Sequence, residues 1–247
     1  MVHRGFGAVR LSRVLVEPRA PHDVEAIRQQ LTRVLATLDD QGRVVSGSRW
    51  GAYCFYDYDG EPIYVGQTSE QLRVRIRRHL TNQRTDAVAM NVLDPFEVCD
   101  IEMWPLWEYQ NIRSRDGAYP SAVAHLNRLE LTVYETVLAS SVLGAVLNEK
   151  EIPKGELTVL PMSIRGRIIP DDIYPVRKHS DVRIARRAQT IAALAKVISE
   201  RDVSTGLRRT LLTQAMRLEL LSRDRLEELA PGGVIDPESG DGSSLAL

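Results

Sequence analysis

Tyr53 and Tyr64 stand eleven residues apart on either side of Asp59-Gly60, and Arg75 and His79 follow, four residues apart. Asp59-Gly60 is a strong two-residue turn signal between β-prone runs, so the tyrosines fall on the two arms of a hairpin. Such a turn pairs Tyr58 with Glu61, Tyr56 with Ile63, Phe55 with Tyr64 and Tyr53 with Gly66. Paired residues share a face and alternate residues return to it. Tyr53 and Tyr64 then become diagonal neighbours, and Gly66 leaves room beside the Tyr53 phenol. Tyrosines are also favoured in half-buried strands for packing alone, and that plainer reading stays open at this point.

Thr68 followed by Gln71 fits a capping box, which predicts a helix from about Ser69. With Leu72 at zero on a helical wheel, Ile76 falls at about 40° and Leu80 at about 80°, while Arg75 falls at about 300° and His79 at about 340°. Arg75 and His79 therefore border the buried stripe one turn apart, where both could donate to the oxygens of a phosphate. Arg73 and Arg77 lie on the stripe's other margin and Arg78 faces outward. The alternative is an ordinary solvated face with one histidine packed for shape.

A third group comes from the stretch between His125 and Asn148, which is apolar on nearly all sides and predicts a buried helix from about Ser121 to Leu147. Its interior carboxylate Glu135 is costly there without a cation or hydrogen bonds. Glu130 is the rival, but five helical residues separate the two by about 140°, so they do not share one site. A single buried carboxylate suits Mg²⁺, which takes one or two carboxylates and fills its shell with water and substrate phosphate. A salt bridge would satisfy the glutamate equally well.

The elements that must position these groups read as follows. A strand is expected over 9–17, then a helix capped by Asp23 with Ile27, Leu31, Val34, Leu35 and Leu38 at helical spacing. After the hairpin and the arginine helix come a strand around Phe96 to Trp104, a polar insertion before the carboxylate helix, and a proline-marked loop over 151–180. Helical patterns cover 181–200 and 204–229, the latter with Leu207, Leu211, Leu212, Ala215, Leu218 and Leu221 as its apolar positions. The tail 231–247 has the composition of a disordered end.

Among 247 residues, 43% hydrophobic content places the chain with ordinary globular proteins, and no run of 18 or more apolar residues occurs. No signal-peptide core opens the sequence, so a cytoplasmic location is expected, with no membrane partner. Two cysteines without a CxxC spacing argue against a disulfide framework or a structural zinc site. A net charge of −1 carries no global nucleic-acid signal. Basic residues nevertheless crowd 73–84, including Arg84, and 165–187, and only Lys150, Lys154, Lys178 and Lys196 among the 32 cations are lysine.

Taken together, Gly51-Ala52-Tyr53 and Tyr64-Val65-Gly66 resemble the two strand motifs of the GIY-YIG nuclease family, with Ala52 and Val65 in place of isoleucine. Arg75 and His79 match the arginine and histidine of the helix that follows, Glu135 the later glutamate, and Asn148 the asparagine about a dozen residues beyond. The resemblance spans residues 50–149. Two departures accompany it: Gln67 stands where many members carry lysine, and the segment 85–127 is longer than in minimal members, which keeps Glu130 in contention.

The resemblance implies an α/β chain of the α+β kind, with a small three-stranded sheet flanked by helices over 47–150. An N-terminal strand and helix would occupy 1–46, a basic loop and helical region for DNA binding or oligomerisation 151–230, and a tail 231–247. It implies hydrolysis of DNA phosphodiester bonds with Mg²⁺ or Mn²⁺. Glu135 would hold the metal, Arg75 the phosphate, and Tyr53 would act as general base with Tyr64 or His79. Asn148 would orient the metal shell or the phosphate. Double-stranded DNA is the expected partner, gripped by Arg73, Arg77, Arg78, Arg165, Arg167, Arg177, Lys178 and Arg183, with a homodimer suited to palindromic sites. A sequence-specific, type II restriction-like role is expected over a repair or homing-type nuclease, or a DNA-binding protein that has kept only the fold.

Overall fold

β1 (Gly51–Tyr56) is buried along its whole length, because it is paired on both edges and covered on both faces. In the computed structural model, which describes residues 21–80, 94–148 and 151–230, it lies inside a four-stranded antiparallel sheet of order β2-β1-β3-β4. Its partners are β2 (Pro62–Thr68) and β3 (Asp100–Pro105), and β4 (Ile164–Arg167) closes the far edge. The expected strand over 9–17, Arg84 and the tail 231–247 lie outside the described residues.

The sheet has one strand more than the three expected. β4 comes from the segment read as loop, and its four residues Ile-Arg-Gly-Arg are too few and too polar to announce a strand. Three antiparallel strands with helices on both faces otherwise match the α+β expectation.

Alternation along β1 divides the core. Ala52, Cys54 and Tyr56 face α3 (Tyr119–Ser140), where Leu126, Leu129, Val133 and Val137 complete one buried cluster. Tyr53 and Phe55 face the other way, into a cluster shared with four helices. α1 (His22–Leu35) contributes Leu31, Val34 and Leu35, and α2 (Leu72–Leu80) contributes Leu72 and Ile76. α5 (Ser180–Glu200) contributes Leu194 and α6 (Thr205–Leu229) Leu207. The two last helices begin and end within a residue of their expected limits. The short α4 (Tyr174–Lys178) precedes them.

The hairpin reaches the expected register by an unexpected route. Asp57 N–H donates to the Glu61 carbonyl, so the connection has three residues, with Gly60 in the left-handed conformation at φ 79°. That is the loop built on a type I turn followed by an αL residue, which glycine suits. Tyr56 accordingly pairs with Pro62 and not with Ile63, and Tyr58 lies in the loop. An irregularity at the next step inserts Ile63 and restores the pairs Phe55–Tyr64 and Tyr53–Gly66. The longer turn and the extra strand residue shift the register in opposite senses and cancel.

Two helix limits also differ from expectation. α2 begins at Leu72, because Thr68 Oγ1 accepts from Glu70 N–H and forms a local turn in place of a cap one step later. α3 ends at Ser140, where the chain turns extended at Ser141 and then left-handed at Gly144. The Glu61 carboxylate holds this ending, accepting from Ser141 Oγ and from the Val142 and Leu143 N–H groups. At the other end Asp23 is not the cap of α1: Pro21 takes that position without a side-chain bond, and Leu38 is exposed.

A buried ionic cluster ties the C-terminal helices to the hairpin. Asp57 Oδ2 lies 3.3 Å from Arg183, 2.9 Å from Arg187 and 2.5 Å from Arg217. Arg183 also pairs with Asp59 at 2.7 Å, and Arg187 with Glu97 at 3.1 Å. Arg183 is only 1% exposed and belongs to this clamp, so it is not available to DNA as expected. The wheel and the charge count could not reveal this, since its partners lie more than 80 residues away in sequence.

Candidate active site

The site is assembled around β2, an edge strand, and α2 behind it. Tyr53 packs its ring over Gly66: a Cβ added there would stand 2.6 Å from the phenol oxygen and 2.9 Å from Cε1 of Tyr64. Only glycine allows both tyrosines to occupy that face. Their ring centroids are 6.2 Å apart, and the His79 ring lies 5.8 Å from Tyr53 and 5.1 Å from Tyr64. The Tyr53 hydroxyl and His79 Nε2 share a hydrogen bond of 3.2 Å. The hairpin register and the helical wheel thus bring together four of the expected residues, Tyr53, Tyr64, Arg75 and His79.

Arg75 is held beside the tyrosines. Burial works against its charge, and the interactions with Tyr53, Tyr64 and Glu70 outweigh it and leave the guanidinium firmly ionised. Its Nε is buried and has no hydrogen-bond partner among the described residues. Tyr53 differs from expectation in one respect: it is fully buried. Burial raises its phenol well above the ordinary tyrosine range and Tyr64 adds to this, while Arg75 pulls the other way. Tyr64 is half-buried and so more accessible than Tyr53.

The two carboxylates of α3 separate clearly. Glu130 is half-buried, and burial lifts its carboxyl to about 7, against the opposing pull of a hydrogen bond from Gln67 and of the Arg75 charge. It also acts electrostatically on Tyr53, so it belongs to the same cluster. Glu135 is exposed, and its neighbours are Tyr134 and, through it, Arg209 and Glu151. The five-residue offset therefore places Glu130 within the cluster and Glu135 outside it. The spacing to Asn148 favours Glu135 in the sequence; it is the tertiary path of α3 across β2 that brings Glu130 to the cluster instead.

Asn148 reaches β2, but in a different capacity from the one expected. Its Oδ1 accepts from Val65 N–H at 3.1 Å and its Nδ2 donates to the Val65 carbonyl at 2.8 Å. The amide thus imitates one residue of a neighbouring strand, and with Leu147 N–H on the Ile63 carbonyl it covers the exposed edge. Both polar groups of its side chain are spent on holding the strand that carries Tyr64 and Gly66.

One residue entered the sequence analysis only as a departure from the family pattern, with no role of its own. Gln67, beside Gly66, donates from Nε2 to Asn127 Oδ1 at 2.8 Å and bonds Glu130, while its Oε1 is buried without a partner among the described residues. A buried acceptor left unpaired costs about 1–3 kcal/mol, so the site has an unmet demand for a donor or a cation. The available signal was its place next to the second strand motif.

The expected DNA-contacting residues are scattered over the surface. Arg73 and Arg77 are exposed on α2, their guanidinium groups bonding Gln71 and Thr32, and Arg78 pairs with Glu70. Arg165 pairs with Asp100 and covers the Tyr56 ring at 3.7 Å. Arg167 pairs with Asp171, Arg177 with Asp23 at 2.9 Å, and Lys178 lies over Tyr174. No group of three or more His, Cys, Asp or Glu residues able to hold a metal occurs among the described residues. A cation at Glu130 would therefore draw on at most one further such residue among those described, and on water and substrate for the rest of its shell.

The family model described as the GIY-YIG catalytic domain matches residues 49–114. The chain carries a GIY-YIG catalytic domain. The match covers β1, β2, α2 and β3, and with them Tyr53, Tyr64, Gln67, Arg75 and His79. It ends before α3, so the choice of Glu130 rests on geometry alone. Neither a curated protein nor a solved structure matches the chain significantly. The GIY-YIG domain is a nuclease module of endonuclease type and implies DNA as its substrate. No helix among the described residues is long and apolar enough to cross a membrane.

Proposed function

We propose that this protein is a Mg²⁺- or Mn²⁺-dependent endonuclease that hydrolyses phosphodiester bonds in double-stranded DNA, with the sequence specificity of a type II restriction enzyme. The observation that carries this reading is the meeting of Arg75, the Tyr53–His79 pair and the half-buried carboxylate of Glu130 at one edge strand. The unpartnered Gln67 Oε1 and Arg75 Nε fit a missing cation shell and a missing phosphate respectively. A single carboxylate, with an amide oxygen behind it that can accept from a bound water, suits a hard, largely hydrated cation.

When bound at Glu130, such a cation supplies Lewis-acid stabilisation of the scissile phosphate and its leaving 3′ oxygen. Arg75 donates to the non-bridging oxygens, where negative charge grows during attack. The half-buried Tyr64 hydroxyl faces the attacking water and takes part in removing its proton. Tyr53, sealed beneath Gly66, fixes the orientation of His79 and Arg75. Asn148 keeps β2 straight at the residue between the catalytic tyrosine and Gly66.

Arg73, Arg77 and Arg78 on the same helix, with Arg165, Arg167, Arg177 and Lys178 on the C-terminal side, supply contacts for the phosphate backbone. A homodimer would match a palindromic site, and a cytoplasmic setting suits this activity. Incubating purified protein with supercoiled plasmid in Mg²⁺ or in EDTA tests the reading. Discrete, metal-dependent fragments are expected. Preference for branched or flapped DNA would replace restriction by repair, and a shifted but uncut plasmid would remove catalysis altogether.

A further inference from the structure

Gln67 is oriented by bonds it makes on one side only. Its amide nitrogen donates to Asn127 Oδ1 at 2.8 Å and to the carboxylate of Glu130. Asn127 and Glu130 are three residues apart on α3 and so lie on one face of that helix. An amide has two N–H donors, and both are engaged by α3. With its nitrogen fixed in this way the carbonyl oxygen has to point the opposite way, where it is buried and accepts nothing among the described residues.

A residue whose whole task was to tie β2 to α3 would not need that oxygen. The Asn127 bond alone would serve, and the buried acceptor only adds cost. The oxygen acquires a purpose if hydrogen donors come from the solvent shell of a cation on Glu130, since a small divalent cation keeps several of its waters.

We propose that Gln67 is a positioning residue for cation binding: its amide nitrogen holds the Glu130 carboxylate in place, and its Oε1 accepts a hydrogen bond from a water on the bound cation. Ligands held by such outer partners lose 10–100-fold in metal affinity when the partner is removed. The inference rests on the reading of Glu130 as the cation ligand, and the experiment separates the two.

Mn²⁺ affinity of the full chain without DNA, measured by calorimetry at pH 8, is the readout, with thermal unfolding in EDTA alongside. Gln67→Met keeps the length of the side chain and removes both polar groups. It should weaken Mn²⁺ binding by about 10-fold or more while leaving the metal-free unfolding temperature close to that of the wild type. Gln67→Glu restores an oxygen and should recover affinity relative to Gln67→Met. Glu130→Gln should abolish binding. If Glu130→Gln fails to bind while Gln67→Met binds within twofold of the wild type, the role of Gln67 is overturned and the cation site stands. If Glu130→Gln binds as the wild type does, the cation site itself falls. Should Gln67→Met not fold, Gln67→Asn decides in its place: too short to reach α3 and the shell together, it should lose affinity severalfold, and unchanged affinity overturns the inference.

Discussion

Glu130 and Glu135 share one helix and differ in everything that matters for catalysis: burial lifts the Glu130 carboxyl to about 7 beside Arg75, while Glu135 stands in solvent near Tyr134. Glu130→Ala should therefore abolish plasmid cleavage in Mg²⁺ without preventing a gel shift. Glu135→Ala should cut at close to the wild-type rate. The opposite pattern would return the metal to Glu135.

Burial of Tyr53 divides the labour of the two tyrosines. Tyr53→Phe keeps the ring over Gly66 and removes the hydroxyl on His79 Nε2. It should slow single-turnover cleavage by about 10–100-fold, the loss expected of a group that only positions others. Tyr64→Phe should cost more, about 10²–10⁴-fold, the range of a group that moves a proton in the transition state. If Tyr53→Phe is the more damaging of the two, the proton goes to Tyr53 and the strand must open to let water in.

The carboxyl of Glu130 also makes a stability prediction for metal-free protein. Its folded pKa of about 7 lies above its ordinary 4.5, so the folded state binds the proton more tightly than the unfolded state. Well below pH 4.5 both states are protonated and the carboxyl carries no penalty. Stability then falls as pH rises to about 7 and stays reduced above it. At 1.36 kcal/mol per unit the ceiling on the loss is about 3.4 kcal/mol, and solvent screening of the half-buried carboxyl reduces it. Glu130→Gln should therefore be more stable than the wild type in EDTA at pH 8 and nearly equal to it at pH 4.5. Urea unfolding at the two pH values checks this, and equal midpoints at pH 8 would contradict it.

Much of the catalytic half was legible from local chemistry. Asp59-Gly60 marks the turn, period-2 alternation puts Tyr53 and Tyr64 on one face, and the period of α2 puts Arg75 and His79 beside them. These are short-range rules, and even the misread turn left the tyrosine register intact, because the Ile63 insertion compensates. What could not be read depends on contacts distant in sequence. Glu130 is chosen by how α3 crosses β2, and Asn148 by its pairing with Val65, 83 residues away. Arg183 looks like its surface neighbours until α5 packs against the hairpin. β4, only four residues long, has too little pattern to be seen.

The clamp around Asp57 predicts that the C-terminal helices are needed to hold the catalytic hairpin. Asp57 Oδ2 faces three guanidinium groups, while its Oδ1 accepts the Asp59 and Glu61 N–H groups of the turn. Removing the carboxylate leaves three buried cations around one missing partner, and breaking such a cluster costs about 3–5 kcal/mol. Asp57→Asn should lose that much in urea unfolding, with cleavage lost alongside, because Tyr53 and Tyr64 stand on the arms of the same turn. Arg165→Ala makes the contrast: its guanidinium pairs near the surface with Asp100, so stability should change by less than about 1 kcal/mol. As a phosphate contact it should instead weaken DNA binding and lower the salt slope by about one. Arg183→Ala should follow Asp57→Asn and not Arg165→Ala. A stable Arg183→Ala protein with a reduced salt slope would move that arginine out of the clamp and onto the DNA.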